Sequence, residues 1–304
     1  MPAAPASTLQ GPRSELPDQS ATIHRTTRAR ALTACLVAIL LTATWGLVQA
    51  SRSATSGSSE GAREPQINAP GLVWDDEFSG PTGSRPSPAR WESEYGSRTG
   101  MLQVYTGRSG NVALDGAGHL VITARRTGRG YTSASIQTEG RFHAEYGRLE
   151  ARIKIPSGQG LWPAFWAVGT DFNRVGWPRS GEIDIMENFG NDPFKITGTI
   201  HGPWRTSNGY AIQFDKLSPV SLANGFHVYG VTWSPDRITF TLDGTGYATV
   251  TPASLSPGQE WVFNRPFFLI LDLAVGGQGS GSPASTSFPA RMLVDWVRVY
   301  RLGR

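Results

Sequence analysis

One cysteine in 304 residues, Cys35, leaves no disulfide framework and no thiol nucleophile beyond residue 50. It follows Leu32-Thr33-Ala34, but a lipidation box needs its apolar stretch before the cysteine, and here the stretch comes after. Charge is also sparse, at 17% of residues, and the net +4 is dispersed. Arg13, Arg25, Arg28 and Arg30 against Glu15 and Asp18 put +2 of it in residues 1–50. Beyond them Arg125-Arg126 is the one adjacent basic pair, so no stripe exists to track phosphates, and a nucleic-acid partner is excluded. The five histidines are scattered and form no zinc pattern. H-E-x-x-H, a phosphate loop and the dinucleotide-binding glycine pattern are all missing.

What is abundant is punctuation and indole. Gly (36) and Pro (21) approach one residue in five, which disfavours long helices and suits an all-β chain of short strands. Nine of the ten tryptophans lie beyond residue 70, more than a core needs, and exposed indoles are flat platforms for sugars.

Residues 1–30 are polar and end in Arg25, Arg28 and Arg30; Ala31 to Ala50 then runs twenty residues without a charge. A basic region, an apolar run and the small-residue ending Val48-Gln49-Ala50 read as a secretory signal over residues 1–50, cleaved after Ala50. The rival reading is an N-terminal membrane anchor over 31–50, since twenty residues can span a bilayer. Either way the remainder is exported, and the expected location is extracellular. Residues 51–70 are Ser/Gly/Ala-rich and read as a flexible linker. From 71 to 304 short β-rich runs alternate with turns such as Asp115-Gly116 and Asp243-Gly244. The expected strands include Val112–Leu114, His119–Ala124, Gly147–Ile155, Arg237–Leu242, Phe267–Leu273 and Met292–Arg301. The expectation is one β-sandwich domain.

Chemistry concentrates in Gly181-Glu182-Ile183-Asp184-Ile185-Met186-Glu187-Asn188. Strand period 2 puts Glu182 and Asp184 on one face with Ile183 and Ile185 behind. The next position on the acidic face is 186, yet the carboxylate stands at 187. A one-residue bulge at Ile185-Met186 would bring Glu187 onto that face, so a bulge is predicted there. Three neighbouring carboxylates repel, which raises the pKa of at least one and leaves an acid beside an ionised base. That pair suits retaining glycoside hydrolysis. A solvated strand face and a calcium cluster are the competing readings of the acids alone. The surroundings favour a glycan site: Trp162 and Trp166 share a strand face just upstream, Trp177 follows, and His201 lies beyond.

These segments resemble glycoside hydrolase family 16, in its bacterial laminarinase-like (endo-β-1,3-glucanase) branch. The resemblance runs from Leu72-Val73-Trp74-Asp75-Asp76-Glu77-Phe78 through Tyr146–Arg152, Gly160–Trp166, Gly181–Asn188 and Phe267–Gly277 to Val294–Tyr300. It implies a concanavalin-like jelly roll of two antiparallel sheets with the substrate cleft across the concave one. It implies Glu182 as nucleophile, Glu187 as general acid/base, and Asp184 between them. Asn111, Trp162, Trp166, Trp177 and His201 match positions that line sugar subsites. Glu77, Gly118 (through its carbonyl) and Asp295 match a structural calcium site, while catalysis needs no cofactor.

The chain departs from its relatives at three places. Thr99–Thr106 has Met101 where similar sequences carry Glu, Gln278–Gly281 replaces a Trp-containing loop, and Trp204 stands where a small residue is usual. All three are expected on cleft rims or loops. The function expected is a secreted, monomeric, retaining endo-hydrolase of β-1,3-glucan. Mixed-linkage glucan, galactans or a non-cutting lectin-like binder are the alternatives.

Overall fold

The computed structural model describes residues 71–303 apart from 129, 206 and 278; the signal and linker readings for 1–70 lie outside the described residues. Eighteen strands occur among them. In chain order they begin β1 Leu72–Asp76, β2 Glu92–Ser93, β3 Gly96–Ser97, β4 Gln103–Tyr105, β5 Val112–Leu114, β6 Leu120–Thr127, β7 Gly130–Ser133 and β8 Ser135–Gln137. Next come β9 Gly147–Lys154, β10 Leu161–Gly169, β11 Glu182–Glu187, β12 Lys195–Trp204 and β13 Ser207–Leu217. The last are β14 His227–Ser234, β15 Arg237–Leu242, β16 Thr245–Val250, β17 Phe267–Val275 and β18 Ala290–Tyr300. One short helix, α1 Phe172–Val175, interrupts the β10–β11 connection. No helix of the described residues is long and apolar enough to cross a membrane.

The strands form two layers. The smaller sheet has the order β13-β12-β11-β10-β17-β8-β2, and the larger runs β16-β15-β14-β9-β18-β6-β7-β4-β3, with β1 on β18 and β5 on β6. Pairing is antiparallel throughout the smaller sheet; in the larger, β4 and β7 run parallel. This is the all-β jelly-roll sandwich the resemblance implied.

Between the sheets, Leu149, Ala151 and Ile153 of β9 and Val231 and Trp233 of β14 meet Phe165, Ile183, Leu269 and Leu271 of the smaller sheet, all buried. Truncating one of the larger of these to Ala would cost roughly 3–5 kcal/mol. The alternation read in Leu149–Ile155 holds, but Glu150 is buried on the outward face, where Arg148 pairs with it at 2.9 Å.

Strand β17 explains how the smaller sheet acquires a second working face. Leu269, Leu271 and Leu273 point into the core. Phe268 and Ile270 turn the other way and form a separate apolar cluster with Val168 and Trp166. Asp272 and Ala274 continue that outer face into a cleft. A strand buried on both faces reads as an unbroken apolar run, and one Asp within it stands out.

Candidate active site

The bulge is present. On one side of β11, Asp184 pairs with Thr199 and Glu187 with Thr197, so Ile185 and Met186 together oppose Gly198 alone. On the other side Trp166 pairs with Asp184 while Phe165 pairs with Met186, which leaves Ile185 without a partner position. Both Ile185 and Met186 are buried in the core, and Glu187 returns to the face of Glu182 and Asp184. Gly198 is part of the reason this fits: a Cβ there would come within 2.5 Å of the Phe240 ring. Gly181, at φ +76, lets the chain turn into β11 against Phe267 and Val262.

The acids line the floor of a cavity of about 640 Å³ that also includes Trp162, Trp166 and Trp177. A second cavity of about 710 Å³ shares Arg98, Trp166, Trp177 and Glu182 with it and has the apolar floor of Val168, Phe268 and Ile270. Together they make one long cleft. Trp162 donates its indole N–H to Glu187 Oε1 at 2.9 Å, and Thr199 Oγ1 stands 3.5 Å from Oε2. Ring Nε2 of His201 lies 3.0 Å from Asp184 Oδ2 and 3.8 Å from Glu182 Oε1. Trp177, 53% exposed, leans on the His201 ring at 5.8 Å.

Burial dominates the acidities. It pushes Asp184 up to about 8, with the charge of Asp272 adding to it and a hydrogen bond with Glu182 opposing it. Glu187 is pushed up to about 8, first by burial and then by the charge of Asp184, against the Trp162 hydrogen bond. Glu182 is raised by the same two causes, while His201 and Arg98 favour its charged form. Near neutrality the cluster therefore retains protons, an acid and a base side by side.

Two further residues complete the site. Asp272 is buried beneath it, accepting from Trp166 Nε1 at 3.0 Å and from the Tyr105 hydroxyl. Arg98, forked onto Glu94, lies 5.0 Å above the Trp166 ring, so one face of that indole is covered by a guanidinium. The lone Asp in Phe267–Val275 was a readable signal for the first; nothing in the sequence around Arg98 marks it.

Asn111 is a correction. It is buried away from the cleft, with Nδ2 donating to the Thr123 carbonyl at 2.8 Å and Oδ1 accepting from Thr106 at 2.8 Å. Its amide ties the β4–β5 connection to β6 and is spent on the protein itself. Trp204 likewise lines neither cavity; it packs beside Gly258. Thr99 and Met101 do border the cleft, and Gly277 lets Trp162 approach, where a Cβ would come within 2.8 Å of the ring.

The calcium positions lie on the other sheet, where Glu77 follows β1, Gly118 sits in the β5–β6 turn and Asp295 is on β18. Arg298 forks both oxygens of Glu77 at 2.8 and 3.0 Å, and Arg152 holds Asp295 at 2.7 Å. The Glu77 carboxylate does not fit a calcium ion, which would have to displace Arg298 from both of its oxygens, whereas Arg152 takes only Oδ2 of Asp295. A set with better metal chemistry is Glu182, Asp184 and His201, whose ligand atoms all lie within 4.8 Å of one another and could hold an ion. An ion there would occupy the catalytic floor.

Known proteins align with this geometry. The profile of glycosyl hydrolases family 16 matches residues 101–298. The β-glucanase of Rhodothermus marinus is 36% identical over 244 residues, 76% of this chain and 85% of that one. The laminarinase catalytic domain of Thermotoga maritima superposes with a TM-score of 0.70 at 38% identity, covering 77% of this chain and 98% of that one. The endo-β-1,3-glucanase of Pyrococcus furiosus does so at 0.68 and 42% identity, over 76% and 94%. With its bulged acidic strand and its cleft on the smaller sheet, the chain belongs to glycosyl hydrolases family 16 as a laminarinase-like endo-glucanase.

Proposed function

We propose that the protein is an exported, monomeric, retaining endo-hydrolase of β-1,3-linked glucan. The observation that carries this reading is the bulge that sets Glu182, Asp184 and Glu187 on the floor of a tryptophan-lined cleft. The likeness to proteins named laminarinases supports the linkage, and export rests on residues 31–50.

In the first step the Glu182 carboxylate attacks the anomeric carbon. The glycosidic C–O bond breaks, and Glu187 gives its proton to the departing oxygen. Asp184, buried beside Glu182, shares a hydrogen bond with it and keeps that side chain oriented. Water then enters, loses a proton to Glu187 and attacks the same carbon, so the ester to Glu182 breaks and the configuration is retained. Trp162 holds the Glu187 carboxylate through the interval in which it is charged.

The lining favours a neutral polymer. Glu94, Glu139, Glu182, Asp184, Glu187 and Asp272 border the two cavities against one cation, Arg98. A sulfated or uronate chain would find only Arg98 there to pair with, and that guanidinium is already forked onto Glu94.

Product sizing over time tests the proposal, with laminarin, mixed-linkage glucan and agarose offered in parallel. A ladder of short oligosaccharides from laminarin is expected. Cutting confined to agarose would move the substrate to galactans, and retention of polymer without cutting would favour a lectin-like binder. An N-terminus at Ser51 in the exported protein would establish cleavage of the signal.

A further inference from the structure

A third cavity, of about 330 Å³, lies beside the cleft and shares two of its walls. The first wall is the segment 91–99. Glu94, Arg98 and Thr99 of that segment face the cleft, while Trp91, Glu92, Ser93 and Tyr95 face the third cavity. The second wall is the end of β8 and the turn that follows, where Gln137 and Glu139 border the cleft and Arg141 the third cavity. The two cavities therefore lie on either side of the β2 edge of the smaller sheet.

The chemistry of this neighbouring cavity is that of a sugar platform. Tyr95 is 70% exposed, more open to solvent than Trp177 of the cleft at 53%. Its hydroxyl and Ser93 lie over Gly107, where an added Cβ would come within 2.6 Å of that hydroxyl, so the glycine leaves room for the ring. Beside it Arg141 is fixed by Glu92 at 2.6 Å and by the carbonyls of Pro88 and Glu139 at 2.8 and 3.0 Å. An apolar face next to a rigid guanidinium–carboxylate pair can stack a pyranose ring and bond its hydroxyls.

We propose that Tyr95, Glu92 and Arg141 form an accessory binding platform for a neutral glucan strand that leaves the cleft over β2. This rests on the β-glucan reading above. The platform adds grip only for chains long enough to reach it, so it separates polymer from short oligosaccharide.

The test is steady-state kinetics of the full-length protein and of Tyr95→Ala and Arg141→Ala, on laminarin and on laminaritetraose. On laminarin KM rises about five- to tenfold with kcat unchanged, as expected for one lost stacking contact. On the tetrasaccharide both parameters stay at the wild-type values, and Tyr95→Trp restores laminarin KM. Identical KM on laminarin in wild type and Tyr95→Ala, with wild type active, overturns the platform alone. Equal KM changes on both substrates overturn it too, because the residues would then act through the catalytic cleft. Wild type without action on laminarin overturns the β-glucan reading and the platform together.

Discussion

The indole of Trp162 donates to Glu187 Oε1 at 2.9 Å from the neighbouring strand β10, so a residue shaped for stacking sugar also touches the proton-transfer group. A bond from a neutral donor to a carboxylate favours the charged form, the state Glu187 occupies between the two chemical steps. Trp162→Phe keeps an aromatic ring and loses that donor. Turnover should fall about 10-fold or more, the worth of a hydrogen bond to a charged group. The alkaline limb of the pH–rate profile should also move upward. A lower rate with an unmoved limb would make Trp162 a sugar platform only.

The pH limb itself follows from burial. Glu187 must carry its proton to act as acid, and burial pushes its pKa up to about 8. kcat/KM should therefore hold through neutrality and fall as pH rises through about 8. A limb near pH 5 would mean that the carboxyl is better solvated than the structure has it.

The same displacement affects stability, with the opposite sign to an ion-paired carboxylate. The folded pKa of Glu187 lies above the unfolded value of 4.5, so the folded state holds the proton more tightly. Stability is fully present below pH 4.5 and is lost as pH rises toward about 8. Glu187→Gln removes that loss. The variant should match wild type in Tm at pH 4 and exceed it at pH 8, by several degrees. A Tm gap independent of pH would point to packing instead.

Azide separates the two glutamates. Glu187→Ala leaves the nucleophile in place, so a substrate with a good leaving group still forms the ester, and azide can then attack in the space vacated. The rate should recover severalfold and a β-glycosyl azide should accumulate. Glu182→Ala has no ester to intercept, and azide attack there would give the α-glycosyl azide. The reverse pattern would exchange the two roles.

How far these features were legible depends on what sets them. The bulge could be read because strand period 2 and a carboxylate one position out of phase leave few other ways to gather three acids, and Ile185 and Met186 lie buried as that requires. Strands Val112–Leu114 and Arg237–Leu242 were marked at both ends by turn residues and match residue for residue. Arg98 was invisible because its place over Trp166 depends on the path of a loop, through contacts 68 positions apart that no local pattern encodes. Asn111 failed for the opposite reason. A polar residue beside a family motif looks functional in one dimension, while in three its amide is needed to satisfy buried backbone at Thr123.

The outer corner at Glu77 and Asp295 offers a last test, because resemblance and geometry lead to different outcomes. Resemblance gives it a calcium ion, whose removal by EDTA would lower Tm. In the structure Arg298 forks Glu77 and Arg152 pairs with Asp295 through Oδ2, and a forked arginine–carboxylate pair does not depend on a metal. Tm should therefore be unchanged by EDTA, and Arg298→Ala should lower it, since the substitution leaves the Glu77 carboxylate without its guanidinium. If EDTA lowers Tm by several degrees and added calcium restores it, the ion is held at this corner through atoms other than the paired carboxylate oxygens, and the arginines frame the site rather than replace the metal.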